Sequence, residues 1–153
     1  MPVRNLSSNS RIRVVTTALK KNSRYKVVAT NLTMGGRAAA VEPSRRGKII
    51  RTLQIDARGV SRVEVINEQN QVERTYLTVG TAQIDCCIAK LVHDAINCTC
   101  KCNKCKEDLQ RAQTIRLLVQ SAKYEASAGL ENSAVEKYNQ ASDMCTEVCA
   151  CGC

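Results

Sequence analysis

All ten cysteines of this chain lie between Cys86 and Cys153, and eight of them fall in two tight clusters. Cys98, Cys100, Cys102 and Cys105 are spaced C-x-C-x-C-x-x-C. Cys145, Cys149, Cys151 and Cys153 are spaced C-x3-C-x-C-x-C. Thiols at this density constrain a fold by holding a metal or one another. The rest of the composition says why such a constraint is needed. In 153 residues there are four Tyr, no Phe and no Trp, so the side chains that normally dominate core burial are scarce. Cores built from Val, Ile, Leu and Ala at this size recruit metals, disulfides or partner chains.

Charge divides the chain near the same place. Residues 1–80 hold 15 Lys/Arg against 5 Asp/Glu, a net of +10, and residues 81–153 hold 8 against 9, a net of −1. The expected organisation is a polar arm at 1–10, a basic β-domain at 11–80 and a cysteine-rich helical domain at 84–153.

The basic half is a series of short runs rich in Val, Ile and Thr, separated by turn residues. The runs are 11–19, 25–33, 38–42, 48–56, 60–67 and 72–79. VSRVEVIN and VERTYLTV alternate apolar with polar residues, and the four residues between them suit a hairpin loop. The fold class expected is α+β, with an N-terminal antiparallel β-sandwich or barrel of five to six strands followed by a three-helix, cysteine-clamped region.

The period changes at Ile84. Ile84, Cys87, Ile88, Leu91, Val92 and Ala95 share one helical face, giving a first helix over about 84–96. Asp85 lies where a negative charge favours a helix start. A second helix is expected over 106–128, with a stripe of Leu109, Ala112, Ile115, Arg116, Val119, Ala122 and Ala126. Gly129 ends it. A third, over 131–148, carries Ala134, Val135, Tyr138, Ala141 and Cys145. If the last two run antiparallel, a rise of about 1.5 Å per residue sets Val148 opposite roughly Arg111. The five residues beyond it then reach the level of Cys105, so the two cysteine clusters are expected to meet at the base of the hairpin.

Eight thiols at one point admit three chemistries. Structural zinc, one or two ions held by thiolates of Cys98, Cys100, Cys102, Cys105, Cys145, Cys149, Cys151 and Cys153, is the expected cofactor, and Cys102-x-x-Cys105 is a familiar half-site. Lys101, Lys104 and Lys106 would offset its charge. Disulfides are the alternative, and an iron–sulfur cluster is a third use of four thiolates. Cys87 reads as a packing residue and Cys86 as a reactive or intermolecular thiol. His93, the one histidine, falls off the apolar stripe and reads as a surface residue.

Arg11, Arg13, Lys20, Lys21, Arg24, Arg45, Arg46 and Lys48 are the candidate contacts to nucleic acid or to an acidic partner. Tyr25 and Tyr76 are the only aromatics in this half, too few for the stacking platforms of single-strand binders. No recognition-helix pattern appears, and Gly47-Lys48-Ile49 is not a phosphate loop. No pairing of nucleophile with base is signalled, so the chain is not expected to be an enzyme. No segment approaches the roughly 18 apolar residues of a membrane span. MPVRNLSSNSRIRVV lacks the apolar region of a secretory signal. Synthesis in the cytoplasm without a signal peptide is therefore expected.

Two resemblances follow from these residues. Leu118, Ala122, Gly129, Ala134, Tyr138 and Ala141 resemble, in spacing, a single tetratricopeptide-type helical hairpin, in which small residues let two helices cross closely. One copy implies no peptide-binding array. The basic polar arm, the segment RVEVINEQNQVERTYLTVG and the lack of catalytic residues together are similar to small virion structural proteins of tailed bacteriophages. That resemblance implies a non-enzymatic assembly subunit that contacts other subunits, copies of itself included, and is incorporated into a virion. A zinc-containing nucleic-acid-binding protein and a metal-carrying or redox protein are the alternatives.

Overall fold

A computed structural model describes residues 11–98 and 104–148. The expected arm at 1–10 and Cys100, Cys102, Cys149, Cys151 and Cys153 lie outside the described residues. The chain divides into two compact units, with the break between Gly80 and Thr81.

The first unit holds six strands: β1 Arg11–Thr16, β2 Arg24–Asn31, β3 Arg37–Pro43, β4 Ile49–Asp56, β5 Gly59–Ile66 and β6 Val72–Gly80. All pairings are antiparallel. They form a two-stranded sheet, β1-β4, and a four-stranded sheet in the order β3-β2-β5-β6. Period-two alternation assigns the faces. Ile12, Val14 and Thr16 point inward from β1, while Arg11, Arg13 and Val15 point out. Both sheets contribute to a single core of Ile12, Val14, Leu19, Tyr25, Val27, Ala29, Ile49, Leu53, Ile55, Val63 and Val65. The arrangement is two stacked antiparallel sheets and not the closed barrel that the strand count also admitted. Among the described residues β1 is hydrogen-bonded only to β4, and β3 and β6 end the other sheet.

The second unit holds three helices: α1 Ala82–Ile96, α2 Lys104–Ser127 and α3 Glu131–Val148. α1 buries Ile84, Cys87, Ile88, Leu91 and Ala95. α2 buries Ala112, Ile115, Val119, Ala122 and Ala126, and α3 buries Ala134, Tyr138, Ala141 and Cys145. α2 stops where Gly129 takes a φ of 79°. There the Gly129 N–H donates to the Ala126 carbonyl (3.0 Å) and the Leu130 N–H to the Glu125 carbonyl (2.8 Å). This bonding pattern closes a helix C-terminus around a left-handed residue, which glycine adopts without a Cβ clash. Two members of the expected α2 stripe fall outside it, since Leu109 and Arg116 are exposed. The buried positions 112, 115, 119, 122 and 126 recur every three or four residues, and Leu109 and Arg116 each fall one residue past that stripe, about 100° around the helix. No described helix is long and apolar enough to cross a membrane.

Candidate functional site

Three connections of the strand unit, after β1, β3 and β5, lie at the same end of the strands, and two of them are tied together. The Leu19 N–H donates to the Gly47 carbonyl (2.8 Å), the Asn22 N–H to the Ser44 carbonyl (3.1 Å) and the Ser44 N–H to the Ser23 carbonyl (2.8 Å). Ser44, buried, adds its hydroxyl, which accepts from the Ser23 N–H at 3.3 Å and donates to the Lys20 carbonyl. The Tyr25 hydroxyl, at the bottom of this end, accepts from the Lys20 N–H (3.1 Å). Burial raises the Tyr25 pKa above its ordinary value, and the bond from Lys20 partly offsets that.

Residues 45–48 form a tight turn. The Arg45 and Lys48 backbones exchange hydrogen bonds of 2.9 and 3.0 Å, with Arg46 and Gly47 both at positive φ (56° and 76°). That is the backbone of a two-residue hairpin whose twist matches the strands. A Cβ on Gly47 would sit 2.7 Å from the Leu19 carbonyl oxygen, so the glycine also permits the two connections to touch.

Six of the eight predicted cationic contacts are gathered here: Lys20, Lys21 and Arg24 from one connection, Arg45, Arg46 and Lys48 from the other. All six are exposed, and none forms an ion pair among the described residues. Three of the five acids of the unit are engaged elsewhere. Glu42 pairs with Arg51, Asp56 with Arg58 and Glu64 with Arg62. Glu68 accepts from the Arg24 backbone N–H (2.8 Å) and with Glu73 borders the patch on the side of the β5–β6 hairpin. The other two predicted cations are not part of the patch. Arg11 and Arg13 stand on the outer face of β1, where Arg11 Nε approaches Gln54 Oε1 (3.3 Å).

That outer face carries a feature the sequence reading missed. Val15 and Ile50 are direct register partners across β1 and β4, and they are 46% and 49% exposed. The signal was the doubling of apolar residues, Val14-Val15 and Ile49-Ile50. Adjacent residues of a strand face opposite ways, so one of each pair must look outward.

In the helical unit Cys98, just past α1, and Cys105, in the first turn of α2, are placed as a disulfide pair with Cα atoms 6.1 Å apart, within the span such a bond requires. The link closes the α1–α2 connection. Cys86 stands in the first turns of α1, apart from that pair. Cys87 is buried on the apolar face of α1, as expected of a packing residue. Cys145 is buried in the α3 stripe, and the helical rise sets it opposite about residue 115, roughly 15 Å along the hairpin from Cys105. The expected meeting of the two clusters falls on Cys100, Cys102, Cys149, Cys151 and Cys153, which lie outside the described residues. Among the described residues, which include three of the eight proposed ligands, no group of three or more His, Cys, Asp or Glu side chains could hold a metal ion. His93 is exposed, its Nδ1 3.6 Å from the Asp94 carboxylate.

Compared with protein-family models, with characterised proteins and with solved structures, the chain matches none.

Proposed function

We propose that this chain is a non-enzymatic structural subunit that assembles with copies of itself and with other subunits of a larger particle, such as a virion, through the outer face of the β1–β4 sheet. The observation that carries the reading is the exposed Val15–Ile50 pair. Two aliphatic side chains in register on an outer strand face, with Arg13 beside them, make a compact apolar spot with a charged rim. Covering what remains open of each is worth about 1 kcal/mol. A two-stranded sheet also ends in unpaired strand edges, which favour association unless they are covered.

In this reading the cysteines clamp the helical unit and take no part in chemistry. The Cys98–Cys105 pairing supports a crosslinked framework at those two positions. Thiolate coordination of zinc by the eight clustered cysteines is the other form of the clamp. Metal content and a free-thiol count on the native protein separate the two forms.

Sedimentation of the full chain over a wide concentration range tests the assembly reading. The native chain should gain mass with concentration, and Val15→Glu with Ile50→Glu should hold it at the monomer. Equal monomeric behaviour of both proteins at every concentration would overturn it.

A further inference from the structure

The basic end of the strand unit uses a different surface from the assembly face. We propose that it is a docking site for the phosphate backbone of a nucleic-acid duplex, bound without regard to base sequence. The inference does not rest on the Val15–Ile50 face.

Four observations carry it. First, the charge is dense, with Glu68 and Glu73 as the only acids beside it among the described residues. Lys20, Lys21, Arg45, Arg46 and Lys48 come from two short connections, all are exposed, and none is ion-paired among the described residues. The acids Glu42, Asp56 and Glu64 are paired with other cations.

Second, the cations are held at fixed spacing. Ser44 and three backbone hydrogen bonds lock residues 19–23 to residues 44–47, so little backbone ordering is left to be lost on binding. Third, the patch has no means of reading bases. Tyr25, its one aromatic neighbour, is buried and its hydroxyl is already bonded to the Lys20 N–H. Stacking on a single strand needs an exposed ring, so contacts fall on phosphates, which position a duplex but carry no sequence information.

Fourth, the chemistry disfavours a protein partner here. Protein interfaces are centred on aromatic or aliphatic anchors. In these two connections the one large apolar side chain, Leu19, is buried in the core. Glu68 and Glu73 bound the patch on the hairpin side and would turn a polyanion toward the Arg45–Lys48 turn.

The test is fluorescence anisotropy of a labelled random-sequence DNA duplex titrated with the full chain at several salt concentrations. Five phosphate contacts predict a log–log salt slope of about −4.5, a loss of roughly 500-fold in affinity over a fourfold rise in salt. Replacing Lys20, Lys21, Arg45, Arg46 and Lys48 together by Gln, with circular dichroism confirming the fold, should abolish that slope. Arg11→Gln with Arg13→Gln should leave the slope nearly intact, because those cations are on another face. Val15→Glu with Ile50→Glu should bind duplex like the native chain, so failure of the assembly reading is seen separately. Four results would each overturn the proposal: no duplex binding at low salt, an unchanged slope in the five-fold variant, an equal loss in the Arg11/Arg13 variant, or tighter binding of polyglutamate than of duplex.

Discussion

The strand unit and the helical unit bury their interiors with different materials. In the strand unit Tyr25, Ile49, Leu53, Val14, Val27, Val63 and Val65 are almost wholly inaccessible and belong to one core. In the helical unit α1 buries Ile84, Ile88 and Leu91, but the buried positions of the α2–α3 hairpin are Ala112, Ala122, Ala126, Ala134, Ala141 and Cys145, with only Ile115, Val119 and Tyr138 larger. Alanine lets helices approach closely, but each one removes far less apolar surface from water than a Leu or Ile does. Every cysteine of the chain is in the unit with the poorer core. A hairpin interior of small side chains and a crosslinked connection thus occur together, while the strand unit, with its larger buried side chains, has no cysteine at all.

The largest effect expected from this contrast is in the strand unit. Leu53 is 2% exposed at the centre of the core, and Leu53→Ala should cost about 3 kcal/mol through lost transfer energy and a residual cavity. Chemical denaturation followed by far-UV circular dichroism should show that loss in one transition and leave the helical one in place. A uniform shift of the whole unfolding curve would mean that the two units melt together and that the comparison is misdrawn.

The next effect belongs to the other unit. Cys98 and Cys105 are seven residues apart, and closing a loop of that length removes about 2.5 kcal/mol of chain entropy from the unfolded state. Cys98→Ser with Cys105→Ser should therefore lower the helical transition by about that amount and leave the strand transition unmoved. Reduction of the native chain should do at least as much. If reduction leaves helicity unchanged in denaturant, the cysteines do not compensate for the alanine core.

How much of this was visible in the residues depends on range. Strand alternation in VSRVEVIN, the apolar spacing of α1 and the glycine that ends α2 are local signals, and each element is found within a few residues of its expected place. α3, bounded by Gly129 and by the cysteine tail, begins and ends as expected. What pairs with what is not local. β1 crosses to β4 and not to its neighbour β2, and that choice separates two stacked sheets from a barrel. Neither strand encodes it, because Ile12, Val14 and Thr16 would serve either partner. The basic end was legible as charge but not as a place. Only the Ser44 and Leu19–Gly47 bonds show that residues 20–24 and 45–48 form one patch, while Arg11 and Arg13, equally basic in sequence, face elsewhere.

A smaller effect probes how tight the alanine packing is. Ala122 and Ala141 are fully buried on facing helices of the hairpin. Ala122→Leu should cost about 2 kcal/mol, since added methylenes in a close helix crossing force the backbones apart. The same enlargement at an exposed α2 position, Lys123→Leu, should cost nothing measurable. If Ala122→Leu stabilises the unit, the alanine interior is underpacked, and the cysteines are not making up for close packing of small residues.

The smallest expected effect concerns acid and should appear in the strand unit. In the β4–β5 turn the Arg58 backbone N–H donates to Asp56 Oδ1 (2.8 Å), and the Arg58 guanidinium grips the same carboxylate through Nε (2.9 Å) and Nη2 (2.6 Å) to Oδ2. The guanidinium bonds hold the Asp56 carboxyl below its ordinary value, against partial burial that pulls the other way. A carboxyl whose folded pKa is depressed stabilises the fold at pH above its unfolded value, near 4, and loses that contribution as pH falls through the lower folded value. Asp56→Asn removes the titrating charge while keeping an acceptor for the Arg58 N–H. At neutral pH the variant should melt slightly below the native chain. Below about pH 4 the two melting curves should converge, because protonation of the native carboxyl reaches the same uncharged state. The measurement is the thermal midpoint of the strand transition at a series of pH values. Midpoints that stay a constant distance apart down to strongly acid pH would show that the Asp56–Arg58 charge contributes nothing to the turn.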